Sequence, residues 1–152
     1  MIDLMKFKDH FVLLLEAGFI AVNQADEDSA NKLFKAAALL NSTSTLPQIG
    51  FGYLYLHKLE LKQACKIFEE ILKKEPHNDM AKTLLGLSMT MTVDQVAQGE
   101  QMLTDTASTS SDSQIKTLAE SALTFVDQFI KKSPPGQMPG SSPKPKGHSP
   151  SK

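Results

Sequence analysis

The chain has 152 residues, with 16 basic against 17 acidic side chains and a formal net charge of −1, so no global field draws it to nucleic acid or to an anionic membrane. Every basic residue is Lys; Arg and Trp are absent, and with Arg go the planar forks that read phosphates and base edges. Cys65 is the single cysteine, which excludes a disulfide framework and is compatible with a reducing compartment.

The N-terminal stretch reads MIDLMKFKDHFVLLLEAGF. Asp3, Lys6, Lys8, Asp9 and His10 interrupt its apolar residues, so it lacks the unbroken apolar core of a signal peptide. No apolar run approaches the ~20 residues that span a bilayer, and a cytoplasmic protein is expected. Phe11, Leu14, Leu15, Gly18, Phe19 and Val22 recur at i, i+3, i+4 and i+7, which predicts a helix over about residues 6–24. Asp26, Glu27 and Asp28 break that pattern and supply N-cap candidates for the next helix. Its face is Ala30, Leu33, Phe34, Ala37 and Leu40, and it ends in the polar turn at residues 41–45.

Residues 47–76 read as two short helices with a polar break at 57–61. Gly52 stands between Phe51 and Tyr55; Ala64, Phe68, Ile71 and Leu72 follow at helical spacing, and Pro76 stops the second helix. Asn78 is an N-cap candidate for a helix carrying Met80, Leu84, Leu85, Gly86, Leu87 and Met91. The next helix, from about Asp94, departs from the pattern. Gln98 and Met102 fall where Ala and Phe stood before, and a one-residue slip would place Gly99 and Leu103 there instead, so an adjusted turn is expected. Residues 104–112 are rich in Ser and Thr and read as a loop. Ile115, Leu118, Ala119, Ala122, Leu123, Val126 and Phe129 define a last amphipathic helix at about 113–131. From Ser133 onward the chain holds six of its eight prolines, three Lys and no acidic residue. Such a segment buries no apolar surface and is expected to be a disordered basic tail. It reads as a solubilising tail, with a Pro-rich docking peptide or an anionic-surface tether as the alternatives.

Gly18, Gly52 and Gly86 are 34 residues apart, as are Ala30 and Ala64, and Phe34 and Phe68. A shared register at three kinds of position resembles the tetratricopeptide (TPR) repeat, a helical hairpin that stacks on its own copies. The leading consensus Trp is absent, with Gln48 in its place. The expected architecture is all-α: three tandem TPR-like hairpins at about 11–44, 45–78 and 79–112, with a capping helix at 113–131. They would form one domain, 1–132, wound as a right-handed superhelix with a concave apolar groove and followed by the tail, 133–152.

Little in the sequence points to catalysis. His10, His57, His77 and His148 make no pair with a second His or Cys at metal-ligand spacing. Cys65 lies within a predicted helix and reads as a buried, inert thiol. Gly50-Phe51-Gly52 is followed by an aromatic helix and not by the Lys-Ser/Thr of a phosphate loop. Glu69 with Lys73, and Glu70 with Lys74, read as i,i+4 pairs on a solvated face. No metal, cofactor or enzymatic activity is expected.

Repeat geometry directs six positions of each first helix to the concave side. In repeat one they include Val12, Leu15, Phe19 and Val22, with Glu16 and Asn23. In repeat two they include Leu46, Ile49, Tyr53 and Leu56, with Gly50 and His57. In repeat three they include Met80, Leu84, Leu87 and Met91, with Thr83 and Thr90. Twelve of the eighteen are large and apolar and none is Lys or Arg, so an apolar ligand is expected: an amphipathic helix or an extended apolar segment.

Three such repeats with an apolar groove resemble the TPR-type chaperones of bacterial type III secretion, over about residues 6–131. The first repeat begins within ~11 residues of Met1, which is more similar to the needle-subunit chaperones than to the translocator chaperones with their longer helical N-terminal extension. The resemblance implies a chaperone that holds the amphipathic helix of an export substrate, a needle subunit first of all, together with a small co-chaperone. A translocator chaperone and a generic TPR scaffold are the alternatives. The basic Pro-rich tail belongs to neither chaperone pattern.

Overall fold

In the computed structural model, which describes residues 9–132, helices follow one another without a strand among the described residues. They are α1 (Phe11–Asn23), α2 (Glu27–Leu40), α3 (Leu46–His57), α4 (Leu61–Lys74), α5 (Asp79–Thr90), α6 (Val96–Thr109) and α7 (Ser113–Phe125). A 3-10 turn, Val93–Gln95, precedes α6, and a π-helical turn, Val126–Ile130, continues α7. Three starts are capped by side chains that accept otherwise orphaned N–H groups. Asp26 accepts from Ser29 N at 3.0 Å, Asn78 from Ala81 N at 3.0 Å, and Asp112 from Gln114 N at 2.8 Å. Pro47 sits in the first turn of α3, where a missing N–H costs nothing. The expected start of the first helix at residue 6, and the expected tail at 133–152, lie outside the described residues.

Short connections make consecutive helices antiparallel neighbours. α1 packs on α2, α3 on α4, and α5 on α6; α1 also touches α3, and α3 touches α5. α7 packs on α6 and α5. The hairpin turns repeat as the helices do. Ala25 (φ 59°) and Leu59 (φ 58°) both adopt the left-handed conformation. In each turn the following amide reaches back to close the helix end, Asp26 N to Ala21 O and Glu60 N to Tyr55 O, both at 2.9 Å.

The core is a set of large side chains pressed onto backbone that carries no Cβ. Phe34 is fully buried. A Cβ at Gly18 would fall inside its ring's contact shell, and one at Gly50 would lie 2.5 Å from the same ring. Phe34 thus seats between α1 and α3 at once, edge-on to Phe19 (5.2 Å between centroids) and Phe51 (5.5 Å). Phe68, also fully buried, repeats the arrangement on α3, where a Cβ at Gly52 would lie 2.5 Å from it. Ala30 and Ala64 are fully buried beside these rings.

The third hairpin takes the slipped register. α4 begins 34 residues after α2, but α6 begins at Val96, 35 residues after Leu61, the extra residue being absorbed in the 3-10 turn. Leu103, fully buried, takes the place of Phe68, and a Cβ at Gly86 would lie 3.0 Å from its Cγ. Gly99 replaces the small Ala: a Cβ there would lie 2.6 Å from Gly86 O, so the α5 and α6 backbones meet glycine to glycine.

Two expectations need correcting. Residues 104–109 are helical and belong to α6. Their hydroxyls bond back to carbonyls one turn earlier, Thr104 to Glu100 at 2.8 Å, Ser108 to Thr104 at 2.9 Å and Thr109 to Asp105 at 2.8 Å, so a Ser/Thr-rich stretch stays inside a helix. The Glu69–Lys73 and Glu70–Lys74 pairs are not among the ion pairs closed within the described residues, as suits exposed pairs worth only tenths of a kcal/mol. Those that close include Asp28–Lys32 at 2.6 Å on α2 and Lys58, which bridges Glu27 at 2.7 Å and Glu60 at 2.8 Å.

Gly50→Ala should lower the melting temperature, since an added methyl group in a filled core costs about 1–3 kcal/mol. Leu59→Gly should raise it: relief of a left-handed conformation, worth about 1–2 kcal/mol, exceeds the extra unfolded-state entropy of glycine. Thermal unfolding followed by circular dichroism measures both. A neutral Gly50→Ala would remove the ring-on-glycine account of the core.

Candidate interaction surface

The eighteen inward positions of the first helices sort by burial, and the sorting follows the repeat register. Leu15, Ile49 and Thr83 form one row, buried throughout; Val22, Leu56 and Thr90 form a second, also buried throughout. In both rows the third hairpin substitutes a threonine, whose hydroxyl is satisfied within its own helix, Thr83 on Asp79 O and Thr90 on Leu87 O, each at 2.7 Å. Leu84 is buried as well. These residues lie on the side of each first helix that turns toward its neighbours. Leu15, Val22, Ile49, Leu56 and Leu84, expected as groove positions, therefore act here as packing.

Three other rows keep contact with solvent. Val12 and Leu46 are exposed, and Met80 is half-buried. Phe19, Tyr53 and Leu87 are all half-buried. Asn23 and His57 are exposed, with Met91 half-buried. Val12, Phe19 and Asn23 fall at i, i+7 and i+11 on α1, one line along a helix face, and the same spacing recurs on α3 and α5. The surface is thus a lattice of three lines by three rows. Seven of its nine members are apolar or aromatic, and none is Lys, Arg, Asp or Glu.

Tyr53 ties the lattice together. Its ring lies 5.6 Å from Phe19 on α1 and 4.7 Å from His57 on its own helix. Its hydroxyl donates to Asn23 Oδ1 at 2.9 Å. The phenol has one proton, so the 3.1 Å contact with His57 Nε2 requires that nitrogen to be the donor. Burial pushes the phenol above the ordinary tyrosine range, because the phenolate would lose solvation. The chain Asn23–Tyr53–His57 forms a polar border at one end of an otherwise apolar surface.

Two cavities lie elsewhere. One, about 1180 Å³, is enclosed by α4 and the α3–α4 and α5–α6 turns, with Leu59, Cys65, Met91 and Val93 among its lining. The other, about 510 Å³, lies between the end of α4, the start of α5 and one face of α6. Of the twelve expected site residues only Met91 lines either cavity. Leu13 and Ile20 on α1 are 61% and 57% exposed, apolar surface that amphipathic reasoning assigns to no partner. The run Phe-Val-Leu-Leu-Leu at residues 11–15 was its signal, because five consecutive apolar residues must cover every side of a helix.

Among the described residues, no helix is long and apolar enough to cross a membrane, and no group of three His, Cys, Asp or Glu side chains gathers as a metal site. Cys65 is buried on α4; burial first, and the charge of Glu69 second, push its thiol above the ordinary range. Native protein at neutral pH should therefore alkylate with iodoacetamide several-fold more slowly than protein in urea, read by mass spectrometry. Equal rates would show that the thiol is neither buried nor deactivated.

No protein-family model, no curated protein and no solved structure matches the chain.

Proposed function

We propose that this chain is a non-enzymatic binding protein, a stack of three TPR-like hairpins closed by α7 and wound as a right-handed superhelix. Its first-helix side holds an apolar segment of another protein. The carrying observation is the row-by-row sorting. The 34-residue register that seats Phe34 and Phe68 also leaves Val12, Leu46 and Met80, then Phe19, Tyr53 and Leu87, then Asn23, His57 and Met91 toward solvent. An uncharged surface of nine positions suits an amphipathic helix laid across α1, α3 and α5. Met80 and Met91 let it adapt to the ligand's shape.

The proposal extends to a cytoplasmic chaperone that shields such a segment before export, as the needle-subunit chaperones of type III secretion do, with a small co-chaperone as a further partner. Four to six apolar anchors at about 1.5–3 kcal/mol each, less the cost of ordering and association, give a complex that blocks self-assembly and still releases its cargo. A translocator chaperone uses the same surface. A scaffold for stable partners is the reading from a different class, and expression alone separates it: an empty apolar surface drives oligomerisation that the client relieves, whereas a scaffold stays monomeric.

The direct test is Tyr53→Glu combined with Leu87→Glu, both half-buried members of the central row. The pair should reduce co-purification of the client at least tenfold and leave helicity intact. Leu39→Glu, at a site 71% exposed on α2, should change nothing. Undiminished capture by the double variant would overturn the assignment of the surface.

A further inference from the structure

The cleft of about 510 Å³ between α4, α5 and α6 is independent of the first-helix surface. Leu72, Pro76 and Met102 supply its apolar lining; Gln98, Gln101 and Asp105 line the α6 wall. Residues 98, 101, 102 and 105 lie on one face of α6 by helical spacing. In the preceding hairpin the positions of Met102 and Thr106 are held by Ile67 and by Ile71, which is buried in the core. The replacement of two β-branched apolar residues by a flexible Met and a small Thr is what opens the cleft.

We propose that this cleft is the docking site for the chain's own C-terminal segment, residues 133–152. The first argument is charge. Residues 9–132 carry sixteen acidic side chains and eleven Lys, a net −5, whereas residues 133–152 carry three Lys and no acid, a net +3. The asymmetry is concentrated around α6: between Lys82 and Lys116 the chain holds Asp94, Glu100, Asp105 and Asp112 and no basic residue. The second argument is where the described chain ends. Lys131 is ion-paired with Glu100 of α6, so the segment departs from the helix that forms the cleft wall. A 14-residue helix is about 21 Å long, and twenty residues reach up to about 65 Å when extended, so the whole wall lies within range. The third is composition. A Pro-rich strand exposes its carbonyls without internal hydrogen bonds. The amides of Gln98 and Gln101 donate to such carbonyls, while proline rings and Met138 pack on Leu72, Pro76 and Met102. The lysines then face Asp105, which at present accepts from Gln101 at 2.9 Å.

The test uses the full chain with a nitroxide at Ser142→Cys in a Cys65→Ala background, and amide signals read in a 15N spectrum. Docking predicts at least threefold intensity loss at Gln98, Gln101 and Met102, with α1 and α2 unaffected. Asp105→Lys should remove most of that loss, as should 0.5 M salt. Uniform broadening, or broadening that Asp105→Lys leaves unchanged, would overturn the proposal. So would broadening that appears only when spin-labelled 14N chain is mixed with unlabelled 15N chain, because the occupant would then belong to a second copy.

Discussion

The fold depends on bulky side chains seated against glycine backbone. Phe34 touches two helices because neither Gly18 nor Gly50 interposes a Cβ, and Phe68 does the same at Gly52. Each ring buries its whole surface, and truncating such a residue costs about 3–5 kcal/mol. Short helices of 12 to 14 residues are marginal alone in water, so their persistence comes from this packing. The arrangement is also directional. Phe34 reaches from the second helix of one hairpin to the first helix of the next, joining neighbours without long-range pairing, and the stack grows by local contacts.

The third hairpin shows which part of that device is essential. Its second helix is displaced by one residue, its ring is replaced by Leu103, and its small Ala by Gly99. A smaller knob leaves less distance to span, and the glycine at 99 lets the two backbones close the gap. The size of the knob and the separation of the helices change together, which keeps the density that protein interiors require. On the far side of α6 no such compensation occurs, and the result is the cleft lined by Met102 and Thr106.

Much of this was legible in the sequence because it rests on spacing. The glycine and phenylalanine registers, the caps at Asp26 and Asn78, and the slip toward Gly99 and Leu103 follow from residue types at fixed offsets. What spacing did not convey was the effect of neighbours. Leu15 and Phe19 are both apolar and one turn apart, yet Leu15 turns toward the packed side and Phe19 toward the open one. Separating them needs the angle between adjacent first helices, which no single hairpin specifies. The helical 104–109 segment escaped for a different reason: turn-forming composition counts against a helix until its hydroxyls are seen to bond back to the preceding turn.

Sorting by row also explains how an uncharged surface coexists with a well-packed stack. A helix sandwiched between neighbours has few directions left for side chains. The buried rows 15/49/83 and 22/56/90 use the directions that point sideways along the stack, so their apolar content is set by packing alone. The open rows are under no such demand, and ordinary solvation would favour Lys or Glu there, as on the outer face of α4 at Lys62, Lys66, Glu69 and Glu70. The chain instead places Phe, Tyr, Leu and Met in them, and where a polar group does enter, at Asn23 and His57, the Tyr53 hydroxyl ties it to its neighbours. Apolar content that packing does not require calls for another reason, and a bound apolar segment supplies one. The contrast between α4 and the first helices of the same stack, built on the same register, is the strongest physical argument that the open rows belong to an interface.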